Sequence, residues 1–200
     1  MSPSYDNRET WLLKSLPALR KLLTGAGAPE FPLPLISMGL PSKGALSGKR
    51  IGECWTEKSS ASEKRCTIFL SPLLSDPVYI LATLVHELIH AAVGNKAGHG
   101  PAFKRVALGV GLEGKMRATV AGPVLKSKLL LLSQRLGPFP HDALKHFKSP
   151  IKKQTTRQRL YVCDRCGQKM RIASDTFKAI HMTLIDDKPC GGEFIKQEPK

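Results

Sequence analysis

The feature that most constrains the fold is an apolar segment, residues 78–93, that carries two histidines and one glutamate. Asp76 can cap a helix at its start, and Pro77 fits the first helical position, where its missing N–H costs nothing. Gly94 and Asn95 end the pattern after about four to five turns at 3.6 residues per turn. Because the residues around the three polar side chains are apolar, we expect this helix to be buried in a folded domain.

Two histidines within this helix, His86 and His90, are four residues apart and therefore project from one face. Both rings can reach one metal ion, and zinc favours imidazole nitrogens. Glu87 could take a proton from a water at the open position of a catalytic zinc site, which is the chemistry of peptide-bond hydrolysis. The alternative is a pair of core histidines, but burying these three polar residues without a metal would be costly.

A third ligand must come from beyond the helix, and His99 is the expected residue. Gly98 and Gly100 on either side of it suggest that the backbone bends tightly at this histidine. The alternative is a helix-capping or surface histidine. Position 96 is Lys96, which excludes the pattern in which the third histidine follows the second by six positions.

Residues 1–136 alternate between helical and extended patterns. Besides the central helix, helices are predicted from Asp6 or Asn7 to residue 23, over residues 101–108 and over residues 124–136. Short strands are predicted over residues 33–38, 50–55 and 66–70. These patterns indicate an α+β domain, residues 1–136, in which helices pack on a short three-stranded sheet.

Positive charge is the strongest signal in the composition. The chain has 31 lysines and arginines against 16 acidic residues, a net charge of +15, and residues 123–160 hold nine of the cations and one of the acids. Such a stretch can attract nucleic acid through counterion release, although basic stretches are also commonly just solvated. We therefore expect DNA as a partner, through a basic linker at residues 137–158 and the module that follows it.

Three of the five cysteines lie in a C-terminal module, residues 159–200. Cys163 and Cys166 have the spacing of a zinc-binding turn, Gly167 follows them, and Cys190 supplies a third thiol. This usage suits metal binding in a reducing compartment better than a disulfide framework. A module of this size is expected to need structural zinc to fold, the alternative being a module that has lost its metal.

In their order and spacing, these motifs resemble the SprT-like zinc metallopeptidase family over about residues 35–115. The resemblance rests on Ile51-Gly52-Glu53-Cys54-Trp55, Ile68-Phe69-Leu70-Ser71-Pro72, His86-Glu87-Leu88-Ile89-His90-Ala91 and Gly98-His99-Gly100-Pro101-Ala102-Phe103. It implies that His86, His90 and His99 are the metal ligands and that Glu87 is the catalytic residue. The interval between His90 and His99 is shorter than in many members. That difference puts the shape of the substrate cleft in doubt, though not the ligand set.

The same resemblance implies a small zincin-like metallopeptidase core and a link to DNA, since Spartan-type members digest proteins crosslinked to DNA. The C-terminal cysteines resemble the zinc ribbon that often follows this core. A complete ribbon would place a cysteine at position 193, where this chain has Glu193. The fourth ligand is therefore open between His181, which would give a common Cys3His site, Glu193, and a degenerate or water-completed site.

The resulting hypothesis is a zinc metallopeptidase with one catalytic and one structural zinc ion that acts on proteins at or near DNA. The alternative is a non-catalytic nucleic-acid-binding or transcription-associated zinc protein with a relic zincin core. The N-terminus shows no signal peptide, and the longest apolar segment carries groups that would be expensive in hydrocarbon. We therefore expect no membrane contact and a cytoplasmic or DNA-associated location.

Overall fold

The computed structural model of the chain describes residues 5–42, 49–59, 65–144 and 158–197. The chain divides into two compact units, Met1–Phe147 and Lys148–Lys200, and each unit has its own buried apolar cluster. Most of the predicted linker, residues 145–157, lies outside the described residues and with it the cations Lys145, Lys148, Lys152 and Lys153. The predicted domain bounds, after residues 136 and 158, stay predictions.

Four helices form the N-terminal unit: α1, Arg8–Gly25; α2, Pro77–Val93; α3, Pro101–Val110; and α4, Pro123–Leu136. The last three begin with proline, whose fixed φ suits the first helical position. Asn7 caps α1 by accepting a hydrogen bond from the backbone N–H of Thr10 at 2.8 Å. Helix α2 contacts each of the other three, and its apolar residues are fully buried at Ile80, Leu81, Leu84, Val85, Leu88 and Ile89. This central helix positions the site described below.

A three-stranded sheet packs against α2. Its strands are β1, Leu35–Met38; β2, Gly52–Trp55; and β3, Thr67–Leu70. In the order β1-β3-β2, β1 is parallel to β3 and β2 is antiparallel to it, with Cys54 opposite Ile68. Strand β2 is therefore an edge strand, and it lies beside α2. The α+β class and the three-stranded sheet are as the sequence predicts, except that β1 and β2 each begin two residues later than expected and β3 begins one residue later.

A hairpin that the sequence did not predict follows α3. Strand β4, Leu112–Lys115, pairs with β5, Ala118–Ala121, in antiparallel register. Gly111, at φ 96°, caps α3 in the left-handed conformation and turns the chain into β4. Leu112 is buried in the core and anchors the hairpin, and β5 contacts α2. The hairpin therefore lies beside the central helix.

The C-terminal unit consists of short strands. They are β6, Arg159–Cys163; β7, Lys169–Ile172; β8, Ile180–His181; β9, Leu184–Ile185; β10, Lys188–Pro189; and β11, Gly192–Lys196. Four of them form an antiparallel sheet in the order β7-β6-β11-β8, and β9 pairs with β10. The buried apolar cluster contains only Tyr161, Cys163, Cys190 and Phe194 among the described residues. Two of these four side chains are thiols, so the unit has little apolar core of its own.

None of the helices in the described parts of the chain combines the length and apolar character that crossing a bilayer requires.

Candidate metal centre and active site

Helix α2 presents two histidines on one face. Its start is fixed by Asp76, whose carboxylate accepts a hydrogen bond from the backbone N–H of Tyr79 at 2.6 Å, and such a cap contributes about 1 kcal/mol. It ends at Gly94, whose φ of 82° favours glycine. His86 and His90 are four residues apart between these ends, and their ring centroids are 5.2 Å apart. The helical spacing thus places both imidazoles at one site.

The third histidine comes from the turn between α2 and α3. A short 3₁₀ helix, Asn95–Ala97, is followed by Gly98 at φ 49°, in the region that favours glycine. His99 Nε2 lies 3.2 Å from Nε2 of His86 and 3.2 Å from Nε2 of His90. The structure therefore brings together the three histidines that the sequence analysis selected.

One buried aromatic ring lies against all three imidazoles. Phe103, in the first turn of α3, is fully buried, and its ring centroid is 4.9 Å from that of His86, 4.6 Å from that of His90 and 4.9 Å from that of His99. Contacts at these separations are attractive and fix ring orientation. The histidine cluster thus has a rigid apolar wall that the sequence analysis had not identified.

The spacing of the three nitrogens fits a metal ion. Zinc–nitrogen bonds of about 2.0–2.1 Å in a tetrahedral site place neighbouring nitrogens about 3.3–3.4 Å apart. The two separations of 3.2 Å that involve His99 are close to this value, and all three ligand atoms lie within 4.8 Å of one another. Three imidazoles also leave a fourth position without a protein ligand, as catalytic zinc sites do. The donor set could therefore hold such an ion.

The electrostatics of the cluster keep the imidazoles neutral. Burial, followed by the neighbouring imidazoles of His90 and His99, lowers the pKa of His86 to about 3. Burial and then His99 lower the pKa of His90 to about 4. The pKa of His99 is lowered by burial and then by the Arg117 guanidinium. Neutral imidazole is the form that binds metals, so the ring nitrogens are available as ligands at neutral pH.

Glu87, next to the first histidine, is buried against β2. Its carboxylate accepts a hydrogen bond from the backbone N–H of Cys54. Burial, followed by the charge of Glu53, raises the pKa of Glu87 to about 8, although Arg50 and this hydrogen bond oppose the shift. A carboxyl group with so perturbed a pKa, beside a candidate metal cluster, is typical of a functional site.

The approach of Glu87 to β2 depends on Gly52. A Cβ built at this position would lie 2.6 Å from Glu87 Oε1 and 2.9 Å from Cγ2 of Thr83. Both distances are shorter than real Cβ contacts. The strand therefore needs glycine where the carboxylate packs on its backbone.

The unpredicted hairpin contributes a polar contact to the cluster. Thr119 Oγ1 in β5 lies 2.8 Å from Nδ1 of His86, on the side of the ring opposite the shared Nε2 position. No residue-spacing rule points to Thr119, since it is 33 residues from His86 in the chain. Gly111 ends α3 and Gly122 precedes α4, so the glycines that bracket this stretch were the available signal for a separate element between the two helices.

A second group of ligand-type side chains lies in the C-terminal unit and contains Cys163, Cys166, His181 and Cys190. Cys163 Sγ is 3.7 Å from Cys190 Sγ, and Cys166 Sγ is 3.1 Å from His181 Nδ1. Zinc–sulfur bonds of about 2.3 Å would place two thiolates about 3.8 Å apart. Burial opposes ionisation of Cys163, but backbone N–H groups of Cys166 and Arg165 lower its pKa to about 6. The group therefore also fits a metal ion.

Glycines and strand register assemble this second group. Gly167, at φ 75°, closes the turn after Cys166, and its N–H donates to the carbonyl of Cys163 at 3.0 Å. A Cβ at Gly192 would lie 2.5 Å from Cys163 Sγ, so only glycine fits beside that sulfur. Gly192 pairs with His181 across β11 and β8, which brings the imidazole to the thiols. Of the two candidate residues for the fourth ligand, the structure places His181 in the group and Glu193 outside it.

The family comparison covers the first of these sites. Residues 36–121 match the model of the SprT-like family. The matched segment runs from β1 to β5 and includes the three histidines, Glu87 and Thr119, whereas α1, α4 and the C-terminal unit lie outside it. No curated protein and no solved structure matches the chain. The match confirms the resemblance inferred from the motifs: the chain carries a SprT-like domain, formed by residues 36–121.

Proposed function

We propose that the chain is a zinc-dependent peptidase with a zincin-like core, in which His86, His90 and His99 hold the catalytic zinc ion. The observation that carries this proposal is the convergence of three imidazole Nε2 atoms beside a helix that also carries a buried carboxylate, Glu87. A purely structural role for the cluster gives no reason to bury Glu87 next to it. The SprT-like domain supports the same chemistry.

When bound, zinc polarises the scissile carbonyl and lowers the pKa of a bound water to about 7. Glu87 takes a proton at its carboxylate and later returns it to the leaving amine. The N–H of Cys54 holds this carboxylate against β2, and α2 supplies Glu87 and two of the imidazoles from one rigid element. The imidazoles themselves are neutral, so a cation held by them would supply the positive charge that favours the ionised form of Glu87, the form that a general base needs.

The substrate is proposed to be protein held at or near DNA. The C-terminal unit, which we propose to be a zinc-ribbon-like module, exposes Lys169 and Arg171 and holds structural zinc through its three thiols and His181. Phosphate contacts from such cations would localise the peptidase without reading sequence. A cytoplasmic, DNA-associated location follows from this proposal.

The first test of the proposal is metal removal. The full chain is incubated with a DNA-binding protein such as a histone, with and without DNA, before and after chelation and re-addition of zinc. We expect digestion that is lost on chelation, restored by zinc and absent in His99→Ala. His141→Ala is the matched control and should retain digestion, because His141 contacts Arg8 and the Pro72 carbonyl instead of the cluster. Digestion that survives both chelation and His99→Ala would contradict the proposal.

The DNA part of the proposal has its own readout. Binding of the full chain to DNA is measured over a series of salt concentrations, and we expect the affinity to fall steeply as salt rises, because phosphate contacts release counterions. DNA should also increase the rate at which a DNA-bound protein is digested. A salt-independent interaction, or a digestion rate that DNA does not change, would remove DNA as the localising partner.

Gly52→Ala is expected to lower the peptidase rate without lowering zinc content. The added methyl displaces the Glu87 carboxylate from β2, while the three imidazoles remain in place. The same overpacking should destabilise the fold by about 1–3 kcal/mol, measured by chemical unfolding. Gly25→Ala is the matched control, since a Cβ there meets nothing within 4 Å. Loss of zinc from Gly52→Ala, or unchanged activity, would contradict this role of β2.

A further inference from the structure

An imidazole that binds a metal through one ring nitrogen needs a hydrogen-bond partner for its other ring nitrogen. Ligand histidines usually donate this second N–H to a neighbouring acceptor, which fixes both the tautomer and the ring angle. In the histidine cluster all three Nε2 atoms face one another, so the Nδ1 atoms are the second nitrogens. His86 Nδ1 has a side-chain partner, Thr119 Oγ1 at 2.8 Å, whereas for Nδ1 of His90 and His99 we find no hydrogen bond within the described segments.

The position of Thr119 is set by the hairpin. Along β5, Ala118 and Val120 are exposed, whereas Thr119 and Ala121 are half-buried, which is the alternation of a strand with one face on the core. Thr119 is opposite Gly114 in the register, and the pair Leu112–Ala121 anchors the other end of the hairpin in the core. A β-branched side chain on this strand has restricted χ1, so its hydroxyl is held in place.

The direction of the hydrogen bond follows from the proton count. A neutral imidazole has one N–H and one bare nitrogen. If Nε2 of His86 is bare and available to a metal, Nδ1 carries the proton and donates it to Thr119 Oγ1. A proton on Nε2 would instead occupy the point on which the three rings converge. Unlike a carboxylate, a threonine hydroxyl orients the ring without adding negative charge to the site.

We propose that Thr119 is a positioning residue for the metal centre: its hydroxyl holds His86 in the tautomer and orientation that expose Nε2 to the ion. This inference rests on the proposed function only in requiring that the three histidines bind zinc. It assigns to the hairpin a role in metal affinity rather than in contact with substrate.

The test is the zinc affinity of the histidine site in the full chain, measured by chelator competition. Thr119→Val keeps the shape of the side chain and removes the acceptor, so we expect about 10–100-fold weaker binding at this site. Thr119→Ser restores the hydroxyl and should bind within a few-fold of wild type. Val120→Ala, at the exposed neighbouring position, should leave the affinity unchanged. Equal affinity of Thr119→Val and wild type, or equal weakness of Thr119→Ser and Thr119→Val, would overturn the inference.

A measurement on the unmodified, zinc-free chain guards against a folding defect in the variants. The ¹⁵N shifts of the His86 ring report its tautomer, and we expect the proton on Nδ1; a proton on Nε2 would overturn the inference. The experiments distinguish failure of the peptidase proposal from failure of the Thr119 proposal. Wild-type protein that binds no zinc at the histidines contradicts the peptidase proposal and this one together, whereas zinc binding that is indifferent to Thr119 contradicts only this one.

Discussion

Replacing Glu87 with glutamine is expected to lower the rate of peptide-bond hydrolysis by about 10²–10⁴-fold, the usual contribution of a general base. Glutamine has the same shape, and its side-chain oxygen can still accept the hydrogen bond from Cys54 N–H, but it cannot take up a proton. The measurement is kcat/KM on an unfolded protein substrate, accompanied by zinc analysis. Zinc content should stay at the wild-type level, because the three imidazoles are untouched.

The control for this variant is Glu57→Gln, which removes a carboxylate from the exposed 3₁₀ helix Glu57–Ser59 and should retain full activity. Equal activity of Glu87→Gln and wild type, with zinc bound in both, would show that Glu87 is not the base. The alternative hypothesis would then be the better account: a non-catalytic protein that binds nucleic acid and in which the zinc site is structural.

Cys190→Ser is expected to unfold the C-terminal unit. The unit has four buried apolar side chains among its described residues, and removing this thiol both subtracts one of them and opens the candidate metal site. Zinc contributes about 10–16 kcal/mol of apparent binding free energy to small zinc modules, as much as the whole stability of a typical domain. We expect hydrogen-exchange protection to be lost over residues 158–197 and the zinc content to fall by about one ion per chain.

Cys66→Ser is the matched control for this experiment. Cys66 is a free cysteine of the N-terminal unit and lies outside both ligand groups, so the variant should keep the wild-type zinc content and the protection of the C-terminal unit. Protection of residues 158–197 in zinc-free or Cys190→Ser protein would mean that this unit folds by other contacts, as in the metal-free alternative considered from the sequence.

Local signals made the central helix predictable. Asp76 and Pro77 start α2, and Gly94 ends it, so its bounds could be read within one residue. The spacing of four then places His86 and His90 on one face without knowledge of the rest of the fold. His99 could be selected because the glycines beside it indicate a tight turn, and the structure shows the positive φ at Gly98 that such a turn requires.

Some features of the fold and of the candidate site depend on long-range packing, and the sequence alone could not predict them. The β4–β5 hairpin has strands of four residues and one fully buried anchor, Leu112, so its local pattern is weak and its place depends on α2 and α3. Thr119 could not be chosen without that packing. The choice of His181 over Glu193 depends on the register of β8 against β11, because neighbouring residues on a strand face opposite sides. The wall formed by Phe103 likewise depends on packing, because the start of α3 must lie against the face of α2 that carries His86 and His90.

The packing of the His99 ring against Phe103 affects how much the loop before His99 can vary in length. His99 and Phe103 are only four residues apart, so ring and wall come from one short stretch that begins α3. The residues before it, 94–98, connect this stretch to α2 without themselves belonging to the ligand group. Because doubling a flexible loop costs only about 0.6 kcal/mol, this connection is where insertions can accumulate while the coordination geometry stays constant. A longer interval and the short one of this chain are therefore both compatible with the same arrangement of three histidines, and they differ only in the length of the loop beside it.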